Sequence, residues 1–325
     1  MPESPQPQAP EIVAMSAIIT IDNLSKRFGD IAAVDGLQLH VEEGEMFGLV
    51  GPDGSGKTTT IRMLCGILVP SGGTATVLGC DILKDPDRVK RQIGYLSQRF
   101  SLYGDLTIDE NIEFFAEINQ VYDYRARRQE LLEFTRLTPF RDRLAERLSG
   151  GMKQKLALAC TLIHAPKIIF LDEPTTGVDP VSRRDFWKIL QSLQQQGITI
   201  VMSTPYLDEA ERCTRVALMN RGRAISVDTP AATKKQMEGK VLEIVMEHVR
   251  EGFRLLKGHP GLKEVQAFGD RLNVIVEDAT VGMREVKRVF EEQGLRITSW
   301  RVIPPSLENV FISLLTQNAQ REVSV

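Results

Sequence analysis

Short apolar runs alternating with longer helical patterns fill the first two thirds of the chain. Runs over residues 18–21, 37–41, 46–50, 74–78, 93–97, 168–171, 198–203 and 216–219 have the length and apolar content of buried strands. A helix is predicted over 57–65, directly behind the run at 46–50. Strands cease between Arg99 and Ala165, where 109–118 and 152–163 carry apolar side chains at helical spacing. The alternation predicts an α/β domain over 17–238 with a helical insertion at about 99–165. After Gly239 the pattern changes. Leu242, Ile244 and Met246 alternate with Glu243 and Glu247, and Leu272, Val274 and Val276 with Asn273 and Glu277, the period of half-buried strands. Phe253 with Leu256, and Met283 with Val286 and Phe290, return to helical spacing, followed by a strand-like run at 295–302 and a last helix at 306–316. Residues 239–325 are expected to form a small α+β domain of ferredoxin-like type.

Composition narrows the class only slightly. The chain is 42% hydrophobic and 26% charged with a formal net charge of −3, which argues against a nucleic-acid partner held by electrostatics. Cys65, Cys80, Cys160 and Cys213 form no C-x-x-C pair, so neither a zinc site nor a disulfide framework is indicated, and a reducing cytoplasm is the expected setting. No apolar run approaches the ~18 residues of a membrane span. Residues 1–16 open with four prolines among ten mostly polar positions and are expected to be a disordered leader.

The chemistry is concentrated in three places. Gly51-Pro52-Asp53-Gly54-Ser55-Gly56-Lys57-Thr58 matches G-x-x-x-x-G-K-[ST] and lies where a buried strand turns into a helix. Three glycines let backbone N–H groups wrap a phosphate, Lys57 reaches toward the β/γ-phosphates, and Thr58 offers a hydroxyl to Mg²⁺. A nucleoside triphosphate is the expected ligand. The apolar run at 168–171 ends in Asp172 and Glu173: Asp172 suits Mg²⁺, and Glu173 suits polarising an attacking water. Leu148-Ser149-Gly150-Gly151-Met152-Lys153-Gln154 places small residues at the start of a helix, a second anion site. One triphosphate already has its loop, so this second terminus implies another chain's nucleotide and hence a dimer.

These motifs together resemble the nucleotide-binding subunits of ABC transporters, over Ile18 to about Gln236. The resemblance implies a P-loop ABC cassette with a RecA-like core, an antiparallel β subdomain and a helical insertion, binding ATP with Mg²⁺. It implies that Phe28 stacks on adenine, that Thr59, Gly150 and Gln154 join the nucleotide-binding set, and that Gln98 touches Mg²⁺ and water and senses the membrane subunit. Val178-Asp179-Pro180 resembles the loop by which paired subunits read each other's site. The segment at 102–107 and the ending Pro305-Ser-Leu-Glu-Asn-Val-Phe311 look like the daunorubicin-resistance and YbhF-type drug exporters. The implied partners are a second ATPase subunit and separate integral-membrane permease chains, with the protein peripheral at the cytoplasmic face of the membrane. A soluble ABC ATPase acting on ribosomes or DNA is disfavoured by the single cassette and the absence of a basic balance.

One position departs from the family pattern. Pro205, in Ser203-Thr-Pro-Tyr206, stands where a histidine that reaches the γ-phosphate is expected. Proline supplies no side-chain donor and no backbone N–H. Three readings stay open: slow hydrolysis, a hydrolysis-impaired regulatory subunit, or a chain whose Ser149 and Gly151 complete the site of a different ATPase. The C-terminal domain is expected to stabilise a dimer or cap the cassette rather than sense a ligand.

Overall fold

The computed structural model describes residues 17–98 and 102–323. The expected leader and residues 99–101 of the insertion lie outside the described residues. In chain order the strands are β1 (Ala17–Phe28), β2 (Ile31–Glu42), β3 (Met46–Val50), β4 (Gly72–Val77), β5 (Cys80–Asp81), β6 (Ile93–Leu96), β7 (Ile168–Asp172), β8 (Thr199–Thr204), β9 (Arg215–Asn220), β10 (Arg223–Asp228), β11 (Lys240–Met246), β12 (Glu264–Phe268), β13 (Arg271–Val276) and β14 (Ile297–Ile303). They form three sheets, ordered β2-β1-β4-β5, β10-β9-β3-β8-β7-β6 and β12-β13-β11-β14.

β1 and β2 are each twelve residues long, well beyond the runs at 18–21 and 37–41. The alternation fades because Asn23 sits at φ 50° and the register of β1 with β4 shifts between Asp22 and Ser25. In the six-stranded sheet β3 runs parallel to β9, and β6 parallel to β7. Every residue of β3, β7 and β8 is buried, which explains the apolar stretches within them (168–171 in β7, 200–202 in β8): strands covered on both faces show no polar alternation. In such sheets ligands gather beyond the carboxyl ends of the strands.

Packing divides the chain into two compact units, one of residues 17–27, 36–45 and 60–201 and one of residues 28–35, 46–59 and 202–323. The sequence pattern gives no hint that the phosphate loop is grouped with the C-terminal sheet. In the first unit, helices Ile108–Ile118, Arg125–Phe134 and Gly150–Leu162 lie between β6 and β7. The first of these is started by a reciprocal cap: Glu110 N donates to Thr107 Oγ1, and Thr107 N donates to Glu110 Oε2. Asn111, fully buried, accepts from Tyr103 N and donates to the carbonyls of Tyr103, Leu106 and Thr107, fastening the loop before the helix.

In the second unit, β11 to β14 are joined by helices Val249–Leu256 and Ala279–Glu292, giving β-α-β-β-α-β connectivity and all-antiparallel pairing. This is the ferredoxin-like arrangement. Leu242, Ile244, Leu272 and Val274 face Val286 and Phe290 in its core. On the inner strand β11, Glu243 is buried and accepts from Arg301 Nε at 2.6 Å and Arg271 Nη1 at 3.0 Å. The Arg301 hydrogen bond, helped by Arg271 and working against burial, holds this carboxyl below its ordinary pKa. A lowered folded value means that the triad's stabilisation is complete above the unfolded carboxylate pKa of about 4.3 and fades as pH falls through the folded value. Glu243→Gln should therefore lower the urea midpoint at pH 7, with the difference from wild type vanishing in acid. An equal gap at pH 7 and pH 2 would refute this account of the triad.

Candidate functional site

The phosphate loop leaves the end of β3 and enters helix Lys57–Leu64. Its glycines are dictated by contact. A Cβ on Gly51 would stand 2.2 Å from the Met219 carbonyl oxygen, and one on Gly56 would stand 2.4 Å from the Ala33 carbonyl oxygen. Gly54 and Gly56 also hold φ of 77° and 101°, which side chains resist. Gly51 N donates to the Thr204 carbonyl at 3.3 Å, and Gly222 N to the Ser55 carbonyl at 3.1 Å, so the loop is braced from β8 and from the β9–β10 turn. Lys57 is buried, and its ammonium donates to the carbonyls of Gly51 (2.8 Å) and Pro52 (3.0 Å).

A phosphate fits this cradle. The Ser55 hydroxyl is buried with no hydrogen-bond partner among the described residues, an orphaned polar atom inside a loop too tight for side chains. Pro52, Asp53 and Gly54 are exposed at its tip, with Thr58 and Thr59 half-buried behind it. Phe28, in the same unit, is 50% exposed.

The segment around Pro205 follows β8 in this unit. Thr204 Oγ1 donates to Glu209 Oε2 at 2.8 Å and accepts from Tyr206 N at 3.0 Å, closing a turn around Pro205. Glu209 is 1% exposed, on the short helix Leu207–Ala210. This pair escapes sequence reading because neither residue signals a partner; a threonine ending a buried strand is its only trace.

The second cluster lies in the other unit. Asp172 ends β7 fully buried. Its charge joins burial, the larger effect, in raising the Cys65 thiol pKa. Glu173 follows with φ 48°, a left-handed backbone that costs a side-chain-bearing residue on the order of 1–2 kcal/mol. Gln98, exposed just beyond β6, donates from Nε2 to Glu173 Oε2 at 3.0 Å, and Thr176 Oγ1 donates to the same oxygen at 3.3 Å. Two donors on one oxygen fix the direction in which the carboxylate points. Thr176 is a partner that the sequence did not reveal.

Ser149 caps helix Gly150–Leu162, accepting from Met152 N at 3.3 Å. Ser149 and Gly150 are exposed, whereas a Cβ on Gly151 would meet the Ser182 hydroxyl at 2.4 Å. Asp179 caps the neighbouring helix Pro180–Gln195 through Val181 N and Ser182 N; the Ser182 side chain and these amides hold its pKa below the ordinary value. Gln154 is fully buried, and neither atom of its amide has a partner among the described residues. No cluster of three or more His, Cys, Asp or Glu that could hold a metal occurs among the described residues.

A glycine cradle behind a buried strand, with a lysine at the head of the following helix, defines a P-loop nucleotide-binding fold. The family model described as "ABC transporter" matches residues 34–176, and that described as "ATP-binding protein DrrA1-3-like, C-terminal domain" matches 229–315. The probable multidrug ABC transporter ATP-binding protein YbhF of Escherichia coli (strain K12) is 48% identical over 245 residues, 74% of this chain and 42% of that protein. The daunorubicin resistance ATP-binding protein DrrA2 of Streptomyces coeruleorubidus is 37% identical over 306 residues, 91% of this chain and 94% of that protein. The chain thus spans under half the length of YbhF but nearly all of DrrA2. A solved ATP-binding subunit of an ABC transporter superposes with a TM-score of 0.62 at 27% identity, covering 67% of this chain and 92% of that one. The dimeric ATP-binding cassette MJ0796 bound to ADP and Pi gives 0.58 at 27%, covering 65% and 98%. The chain belongs to the ABC transporter ATP-binding proteins, and among them it is similar to the daunorubicin-resistance proteins and YbhF.

The cradle generates a direct test. Gly56→Ala forces a Cβ against the Ala33 carbonyl at a φ alanine resists. Binding of a fluorescent ATP analogue should weaken by at least about tenfold, with the thermal midpoint lowered by only a few degrees. Undiminished affinity would show that the loop is not the phosphate site.

Proposed function

We propose that this chain is the ATP-binding and ATP-hydrolysing subunit of an ABC exporter, dimerising on ATP to drive transport through separate membrane subunits. The carrying observation is the braced loop, closed to side chains at Gly51 and Gly56 and holding the buried, orphaned Ser55 hydroxyl. In this reading residues 17–238 are the cassette and 239–325 an accessory domain. Phe28 stacks on adenine, residues 51–59 bind the phosphates, and Lys57 moves from its loop carbonyls to the β/γ oxygens. Thr58, Asp172 and Gln98 would hold Mg²⁺ together with nucleotide oxygens, and the ion would neutralise charge on the phosphates.

Glu173 orients the attacking water and takes its proton. Its carboxylate is directed by Gln98 and Thr176, so a shift of Gln98 turns the base. The water adds to the γ-phosphorus as the bond to the β-bridging oxygen breaks, giving ADP and phosphate. Ser149, Gly150, Gly151 and Gln154 belong to the half-site that a second ATPase chain's nucleotide completes. Ser149 and Gly150 are the exposed part of it, while the buried Gln154 supports the helix behind them. No helix among the described residues is long and apolar enough to cross a membrane, which agrees with docking on permease chains at the cytoplasmic face. The loop at 102–107, fastened by Asn111 and presenting Tyr103, is the segment we assign to that contact.

Glu173→Gln keeps the shape and removes the base. It should retain ATP binding while turnover falls about 100-fold or more. A variant that hydrolyses ATP at the wild-type rate would overturn Glu173's role.

Pro205 leaves the γ-phosphate one contact short, and the adjacent Thr204 hydroxyl is already engaged by Glu209 and Tyr206 N. One hydrogen bond to a charged group contributes about 1.5–3 kcal/mol. Pro205→His should therefore raise the steady-state ATPase rate by roughly tenfold or more. If binding stays intact and the rate does not change, this position does not limit hydrolysis.

A further inference from the structure

The two edges of the C-terminal sheet are treated differently. β12 closes one side and β14 the other. Beside β12 lies helix Leu307–Val323, locked by a reciprocal amide pair: Gln266 Nε2 donates to the Asn309 carbonyl at 3.0 Å, and Asn309 Nδ2 donates to Gln266 Oε1 at 2.8 Å. Both side chains are buried. β14 has no such cover among the described residues. All of residues 298–302 are exposed, Trp300 by 43% and Val302 by 49%.

Trp300 and Val302 pair with Ile244 and Leu242 of β11, so they extend the apolar face of the core beyond the helices that cover it. The contact over the Trp300 ring is Lys287 Nζ, 5.8 Å from its centre. Natural sheet edges are protected by proline, lysine, inward charges or bulges. The strand sequence Ile-Thr-Ser-Trp-Arg-Val-Ile has no proline, lysine or acid, and the register irregularity is confined to its start, opposite Val245 and Met246. Its one charge, Arg301, is held by Glu243 at 2.6 Å. The remaining residues are mostly β-branched or aromatic, the types that favour pairing.

We propose that the β14 edge is a self-association surface on which a second copy of this chain pairs its own β14 antiparallel, about a two-fold axis at Trp300. The strand is self-complementary in that register. Trp300 meets Trp300 of the second copy, and Arg301 meets Ser299 instead of a like charge, while the irregularity at 297–299 keeps Ile297 and Thr298 out of the regular ladder. An aromatic cross-strand pair at the centre adds to the new ladder of hydrogen bonds. A strand of seven residues spans only about 23 Å. Such a contact falls short of the ~1,200 Å² of a standard interface, so it is weak alone and separate from the ATP-driven closure proposed above.

Sedimentation velocity of the full chain without nucleotide, up to roughly 100 µM, tests the contact. Wild type should show concentration-dependent dimers, and Trp300→Lys/Val302→Lys should weaken them about tenfold or more while ATP binding per chain is kept. Tryptophan emission gives a second readout: Trp187 is already buried, so a further blue shift on concentrating the chain reports Trp300. In a third, Trp300→Cys should form an intermolecular disulfide under mild oxidation, since all four native cysteines are buried. A wild-type chain that stays monomeric, a dimer indifferent to the double-lysine variant, or a Trp300→Cys chain that does not cross-link would overturn the proposal. Each readout is made without ATP, so failure here leaves the ATPase reading standing, and a non-hydrolysing chain would still dimerise through this edge.

Discussion

Binding an anion with backbone N–H groups requires bringing the main chain to the ligand, and a main chain that close to its neighbours has no room for side chains. At Gly51 and Gly56 the space a Cβ would need is already taken by the carbonyl oxygens of Met219 and Ala33. Those oxygens belong to β9 and to the β1–β2 hairpin, so strands distant in sequence set the shape of the loop. The Gly51 N–H bond to Thr204 ties the same loop to the end of β8, just before Pro205. Little reorganisation is then needed when charge develops on the phosphates, which is the condition for electrostatic catalysis to be effective.

The opposite strategy operates at Glu173. Here a side chain is required, and the backbone accepts a left-handed conformation to present it. Gln98 and Thr176 then hold one carboxylate oxygen. The Glu173 carboxylate is directed by a residue that follows β6, the point where the chain enters the helical segment. Pro205 fixes the backbone of its turn, and the neighbouring Thr204–Glu209 pair is buried.

What could be read in the sequence follows from what each feature depends on. β3, β7 and β8 were legible because burial on both faces leaves short apolar stretches without polar alternation. β10 and β12 were not: β10 is mostly half-buried, and β12 is five residues with little alternation. The phosphate loop and the acids at 172–173 announce themselves because their chemistry admits few residue types. Thr176 and Glu209 do not, since a threonine or glutamate acquires its role only from the partner that folding brings to it. The LSGG segment named Gln154, but spacing alone does not say that its amide turns into the protein. Asn111 was equally silent, being one polar residue among apolar neighbours until its four hydrogen bonds close the preceding loop.

The C-terminal sheet holds its two margins by different physics. The Gln266–Asn309 pair is neutral on both sides, so neither protonation nor screening by salt loosens the helix it fastens. The Glu243 triad that reaches β14 is ionic, with arginines open to solvent, and it responds to both. In acid or concentrated salt one margin of the same sheet therefore softens while the other stays shut, giving this small domain a built-in polarity of response along the direction in which its strands are stacked.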